Sequence, residues 1–338
     1  MSNILLATLD YLPQRGGVAR YLGAIKQTFP EKINVLYWNT AISRMEMMRE
    51  LITVSKGHSA VWVSHVLPVG TMAYFAKFIT GIPYTVFLHG MDFDLARRDS
   101  WKRFLTRRIL KNAQHIVVNS NALAQEVRGF VGRDSLVVYP SIADSFLHEG
   151  REYNPEDKKL REQGKVRIVT VSRLVERKGH VDVLEAIRYL PNVEYLIVGD
   201  GGYRNRINMR IKDLNLQHCV QMLGEVNDQE LMQLYKSADI FVMPTKKSDL
   251  DREGFGIVYL EAQLFGLPVI GSNHEGVDEA VINRSTGFLV RGTQELRDAI
   301  KKLADNAQLR RRMGRAGREY VLAGFTRDKQ FSKLEKIM

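Results

Sequence analysis

VRIVTVSRLVERKGHVDVLEAIRYL, residues 166–190, is the stretch from which the fold is read. A β-branched run, Val166–Ser172, leads through a basic turn into an amphipathic segment, Val181–Tyr189. The same order, strand then helix, recurs along the chain. In the first half, strands are predicted at Ile4–Leu9, Ile33–Trp38, Ala60–His65, Tyr84–His89, His115–Asn119 and Leu136–Tyr139. Helical patterns lie among them at Val18–Thr28, Val69–Thr80 and Ser100–Asn112. In the second half, further strands are predicted at Tyr195–Val198, Val220–Leu223, Ile240–Met243, Val269–Gly271 and Phe288–Val290, with helices at Gln229–Lys236 and Ile257–Leu264. Alternating strands and helices imply right-handed crossovers and parallel sheets covered on both faces. Twelve strands exceed one sheet of ordinary size, so the fold class is α/β with two doubly wound parallel sheets. The polar, strandless stretch Gly150–Gly164 marks the boundary, giving domains at 1–155 and 165–320.

Composition narrows the field. The chain has 338 residues, 45% hydrophobic and 26% charged, enough for two buried cores. A single cysteine, Cys219, excludes an intrachain disulfide and a thiolate-rich metal site, and fits a reducing, cytoplasmic compartment. The segment MSNILLATLDYL reads as a first strand and not as a signal peptide, and no apolar run reaches the roughly 18 residues of a membrane span. A soluble or peripheral protein is expected. The net charge of +11 favours a polyanionic partner: nucleic acid, an anionic membrane or a phosphorylated substrate.

Ligands of open parallel sheets bind at the carboxyl ends of the strands, and two facing sheets would leave a cleft between domains. The chemistry-bearing motifs fall at such ends. Glu253-Gly-Phe-Gly-Ile-Val-Tyr-Leu-Glu261 sets two carboxylates eight apart, with Gly254 and Gly256 after the first. Glycines there admit a ligand to the backbone, and the helix start that follows points N–H groups and its positive dipole end at an anion. Glu253 can accept sugar hydroxyls, and Glu261 can reach a ribose lying along the helix start. Arg173 and Lys178, in the turn after Val166–Val171, can embrace a diphosphate, the arginine through its planar fork and the lysine as a point charge. Gly199, in Val198-Gly-Asp-Gly-Gly202, belongs to a glycine-rich turn after another strand. In the first half, Gly16-Gly17 can admit a donor phosphate or an acceptor, and His89, closing its strand, can bond a sugar hydroxyl or orient an acceptor. Each fragment also has a plain structural reading, as a turn, a solvated basic loop or a core histidine.

Taken in order, these fragments resemble the family-four retaining glycosyltransferases, and the resemblance runs along essentially the whole chain. Leu223-Gly224, Ser237-Ala-Asp239, Pro244, Gly266-Leu-Pro268 and Met313-Gly-Arg-Ala-Gly317 before Phe325-Thr326 add to it. The resemblance implies two Rossmann-like domains in the GT-B arrangement, with the nucleotide held by the second and a final helix, 321–338, crossing back to the first. It implies that Arg173 and Lys178 hold the diphosphate, Glu261 the ribose and Glu253 the donor sugar. Main-chain amides at Gly254, Phe255 and Gly256 would support the sugar or β-phosphate. His89 would touch the donor sugar, while Gly16, Gly17 and Gly199 line the donor site. No cofactor and no metal are implied: no Asp-x-Asp motif is present, and fixed cations can stabilise a departing diphosphate. Front-face transfer with retention is expected, the leaving phosphate helping to take the acceptor proton. EGFGIVYLEA is similar to the versions found in mannosyltransferases, which puts GDP-mannose first and UDP-hexoses next as the donor. One departure is Asn273-His-Glu-Gly-Val-Asp278-Glu279, where the family often has paired glycines before Pro-Glu.

The charge has a focus. Arg97, Arg98, Lys102, Arg103, Arg107, Arg108 and Lys111 fall within fifteen positions, opposed by Asp99. Trp101, Phe104, Leu105 and Ile109 share a helical face, which is either this helix's core face or the apolar edge of an interfacial membrane contact. With the second reading the acceptor is a glycan or lipid-linked sugar, met at the inner face of the membrane. No nucleic-acid-binding motif is present. A GT-B nucleotide-sugar epimerase and a non-catalytic binder of sugar nucleotides or polyanions are the alternatives.

Overall fold

The computed structural model describes residues 3–12, 16–38, 42–155, 164–246, 255–274 and 276–338. The β-branched runs form two six-stranded sheets in which every pairing is parallel. The first contains β1 (Ile4–Thr8), β2 (Ile33–Tyr37), β3 (Ala60–Ser64), β4 (Tyr84–Leu88), β5 (His115–Val118) and β6 (Leu136–Val137), in the order β2-β1-β3-β4-β5-β6. The second contains β7 (Val166–Val171), β8 (Val193–Val198), β9 (Val220–Gly224), β10 (Ile240–Met243), β11 (Val269–Ser272) and β12 (Gly287–Val290), in the order β12-β11-β10-β7-β8-β9. Element limits move by one or two residues from those read in the sequence.

The strands are largely apolar because both faces of a parallel sheet are covered by helices, with polar residues such as Asn34 and Gln221 exposed on the edge strands β2 and β9. Alternate residues enter opposite layers, as the two-residue period of a strand requires. Leu5, Val61 and Val86 pack with Met72 and Ile109 on one face of the first sheet, and Leu6, Trp62 and Phe87 pack with Leu22 and Phe331 on the other. In the second sheet Ile168, Ile197 and Val242 meet Leu184, Ile207 and Ile300.

Two compact units result, one of Met1–Ser141 with Arg327–Met338, the other of Ile142–Thr326. The division therefore precedes the expected Gly150–Gly164 boundary. The reason is the helix Asp144–Glu152, whose Phe146 is buried against the rings of Tyr235 and Phe265 in the second unit. Nor is 321–338 one helix. The helix Ala307–Gly324 ends where Phe325 leaves helical dihedrals, and Arg327–Phe331 and Ser332–Ile337 follow as short turns of helix. Phe331 and Leu334 are buried in the first unit's core.

Strand order also locates the crevices. In the first sheet the chain reverses direction between β1 and β3, and in the second between β7 and β10. Loops leaving neighbouring strands diverge at such switch points, which opens room for a ligand outside the carboxyl ends.

Candidate active site

In the second unit, the turn after β7 and the turn after β10 meet at the switch point. The Lys246 amide donates to the Arg177 carbonyl at 2.6 Å, and the Lys178 ammonium lies 3.6 Å from the Met243 sulfur. Lys178 is only 7% exposed, an unusual state for a lysine. Arg173 is exposed two residues beyond β7. Gly199, after β8, has φ +122°, and a Cβ there would lie 2.0 Å from the Ser172 carbonyl oxygen, so the turn requires glycine. Its amide donates to the Gly224 carbonyl at 2.7 Å. Arg173, Lys178 and Gly199 are thus brought to one edge of the sheet.

His180, which sequence reading did not single out, supports this turn. Its ring is fully buried, with Nε2 3.1 Å from the Ser172 Oγ and Nδ1 3.4 Å from the Tyr195 hydroxyl. Burial pulls its pKa down to about 4; a main-chain bond at Arg173 opposes that shift and the charge of Lys178 reinforces it. The imidazole is therefore neutral at neutral pH.

The helix Ile257–Leu264 starts from Gly256, at φ +81°, a residue with no side chain to cap it. Phe255 is buried with its ring on Phe325. Glu261 is also buried, and the Tyr235 hydroxyl donates to its Oε2 at 3.1 Å. Glu253 and Gly254 lie outside the described residues.

The first unit gathers a second set at the ends of β1, β3, β4 and β5. His65 Nε2 lies 3.2 Å from an Asp10 carboxylate oxygen, across the β1/β3 switch point. The Ser64 Oγ lies 3.1 Å from His65 Nδ1 and 3.2 Å from His89 Nε2. The His89 amide donates to Asp92 Oδ1 at 2.9 Å, and Asn119 Nδ2 donates to the His89 carbonyl at 3.2 Å. Tyr21 sets its ring edge-on to the His89 ring. Burial, aided by the neighbouring His65, pulls the His89 pKa down to about 3. Gly16 caps the helix Gly17–Thr28, and a Cβ on either glycine would meet nothing within 4 Å. Of this set the sequence reading named His89, Gly16 and Gly17. Asp10, Ser64 and His65 carried the same signal, a polar residue closing a strand, without a motif to single them out.

Comparison with known proteins agrees with this geometry. Residues 153–320 match the family described as glycosyl transferases group 1, and residues 16–141 match the glycosyl transferase 4-like domain. The chain is a family-four glycosyltransferase of GT-B fold. A GDP-mannose-dependent alpha-(1-6)-phosphatidylinositol monomannoside mannosyltransferase of Mycobacterium tuberculosis is 27% identical over 380 positions, covering 100% of this chain and 98% of its own. A GDP-mannose-dependent monoacylated alpha-(1-6)-phosphatidylinositol monomannoside mannosyltransferase of Corynebacterium glutamicum is 36% identical over 175 residues, 49% of this chain and 45% of that one. The crystal structure of Anabaena HepE in complex with UDP and glucose has the same fold, with a TM-score of 0.83 at 19% identity and 99% of each chain covered.

This glycosyltransferase has, among its described residues, no helix long and apolar enough to cross a membrane. Its basic helix, Ser100–Asn112, corrects the face expected from the sequence. The buried side consists of Thr106, Ile109 and Leu110, and Leu105 is half-buried. Trp101 and Phe104 are 63% and 62% exposed, turned away from that buried side. They are therefore not core residues. Lys102 and Arg108 lie over their rings, and Arg103, Arg107 and Arg97 surround Phe130. The adjacent helix Thr71–Thr80, joined by a bond from Lys77 Nζ to the Asn112 carbonyl, exposes Phe75, Phe78 and Ile79.

Proposed function

We propose that this glycosyltransferase moves mannose from GDP-mannose to a lipid-linked acceptor, with retention and without a metal ion. The observation that carries the reaction is the buried Lys178, held with Arg173 and the close-packed Gly199 turn at the β7/β10 switch point. A diphosphate at that edge would meet both cations, and they would neutralise the charge that develops as the anomeric C–O bond breaks. Main-chain amides at Gly256 and Phe255, at the start of the helix Ile257–Leu264, support the phosphate or the sugar. Glu261 is assigned to the ribose, Glu253 to the sugar hydroxyls and His89 to the donor sugar. The acceptor hydroxyl attacks from the face the diphosphate leaves, and the departing phosphate takes its proton.

The similarity to GDP-mannose-dependent enzymes supports the donor, and their phosphatidylinositol mannoside acceptors support a lipid-linked one. The exposed aromatic residues beside a basic helix support contact with an anionic membrane surface.

A thermal-shift series against GDP, UDP and ADP and their sugar conjugates, with EDTA present, tests the donor. GDP and GDP-mannose should raise Tm more than the others. A shift confined to UDP compounds would replace the donor, and no shift with any of them would favour a binding protein of another kind. Turnover of a nucleotide sugar to its isomer without an acceptor would replace transfer by epimerisation.

A further inference from the structure

The first unit's strand-end network has a direction that its hydrogen-bond chemistry fixes. A carboxylate only accepts, so the His65 nitrogen facing Asp10, Nε2, is the protonated one. In neutral imidazole the other nitrogen, Nδ1, then carries a lone pair and must accept from the Ser64 hydroxyl. With its one hydrogen committed, Ser64 can only accept from His89 Nε2. The His89 proton is thereby placed on Nε2, and Nδ1 is left as an acceptor.

Three further facts point to what the network serves. Among the described residues, no protein group bonds His89 Nδ1. Asp92 Oδ2 and Asn119 Oδ1 are buried without a hydrogen-bond partner, and both residues bond the main chain of His89. His65 holds φ +76°, ψ 136°, a conformation that strains any residue but glycine by on the order of 1–3 kcal/mol, while its ring spans Asp10 and Ser64.

We propose that Asp10, His65 and Ser64 are positioning residues that lock His89 in its Nε2–H tautomer, so that Nδ1 is held as an acceptor for a hydroxyl hydrogen of a sugar. The tautomer rests on the network alone; the sugar rests on the transferase reading given above. A nitrogen held as an acceptor selects a ligand whose hydroxyl donates to it. It rejects analogues in which the recognised hydroxyl is replaced by fluorine, which accepts weakly and cannot donate.

The test is two-bond ¹H–¹⁵N correlation spectroscopy of the full chain labelled at histidine, at about pH 8, where an imidazole is neutral. The His89 signals are assigned by their loss in His89→Gln. The Nε2–H pattern is expected in the unsubstituted protein, and a mixture of tautomers in Ser64→Ala. An Nδ1–H pattern in the unsubstituted protein overturns the proposal, as does a Ser64→Ala spectrum unchanged from it. Neither readout needs a substrate, so the result stands apart from the fate of the transferase reading. The second arm is transfer from a series of deoxyfluoro donors. One member should react roughly 3- to 10-fold more slowly than its parent, the worth of one hydrogen bond, and Asp10→Asn or Ser64→Ala should shrink that ratio toward one. Should one spectrum of Ser64→Ala reflect misfolding, Asp10→Asn, at a partly exposed position, gives the same reading with the core intact. Equal discrimination in all three proteins would remove the sugar from the proposal.

Discussion

Each unit carries a neutral imidazole beside a strand-end serine, His89 with Ser64 and His180 with Ser172, at 3.2 and 3.1 Å. What differs is where each chain of bonds ends. From His180 it runs inward, through Tyr195 and Thr170 to the Val242 carbonyl, and both ring nitrogens face protein groups. From His89 it runs outward through Ser64 and His65 to Asp10, and among the described residues one ring nitrogen has no protein partner. The same pair of side chains thus braces a basic turn in one unit and, among the described residues, leaves a ring nitrogen unbonded in the other. In the second unit the groups proposed to meet a ligand are instead the cations of that turn, Arg173 and Lys178.

The largest effects should fall on those cations. Lys178→Ala or Arg173→Ala should lower kcat on the order of 10²–10³-fold, as loss of a preorganised charge does, whereas His180→Gln should act chiefly through stability. Turnover measured beside urea unfolding separates the two. A His180→Gln protein of full stability and hundredfold lower kcat would end the distinction between bracing and binding. Next comes the glycine contrast. Gly199→Ala, driven into the Ser172 carbonyl at positive φ, should cost about 2–4 kcal/mol, while Gly16→Ala, with open space around its Cβ, should stay within about 0.5 kcal/mol. A Gly16→Ala protein that loses transfer at unchanged stability would sharpen the comparison, since the space would then belong to a ligand.

Acid should expose both imidazoles. In the folded chain their pKa values are about 3 and 4, below the 6.5 of an unfolded histidine, so between those limits the unfolded state binds more protons. The stability they contribute is fully present above about pH 6.5 and is lost as pH falls toward 4, at about 1.4 kcal/mol per pH unit for each ring. Unfolding free energies measured from pH ~4 to ~6.5 should show a shallower slope in His89→Gln and in His180→Gln. An unchanged slope in either would mean that the ring is solvated.

The sequence disclosed the sheets because parallel strands covered on both faces are largely apolar, and it put Arg173, Lys178, Gly199 and His89 at strand ends, where the structure has them. It did not disclose His65, Asp10 or His180, because a histidine after a strand is ambiguous until its neighbours across the sheet are known. The partner of Glu261 was hidden for a similar reason, since Tyr235 lies 26 residues away on another helix. The unit boundary precedes the polar Gly150–Gly164 stretch because Asp144–Glu152 is tied to the second unit by Phe146, by the Glu149–Lys236 ion pair and by bonds from Arg318 to the Gly150 and Arg151 carbonyls, contacts that a linear sequence does not display.

The smallest stability effect belongs to the surface, where the units differ again. The exposed large apolar residues of the second unit, Tyr189, Met209, Leu223 and Ile282, stand on separate elements. The first unit concentrates Phe75, Phe78 and Ile79 on one helix and Trp101 and Phe104 on its neighbour, amid arginines and lysines. A helix face chosen by folding alone would bury its aromatics, and this one turns them out while burying Thr106. Trp101→Ser with Phe104→Ser should therefore change unfolding free energy by no more than about 0.5 kcal/mol. The same pair should weaken sedimentation with vesicles containing phosphatidylserine, and raising salt should weaken it further, because the basic residues act through a screened potential. Binding to vesicles unaffected by the double substitution would remove this helix from the membrane contact. A loss of several kcal/mol in stability would mean that the rings are packed after all, and the first unit would have no surface to set against the second.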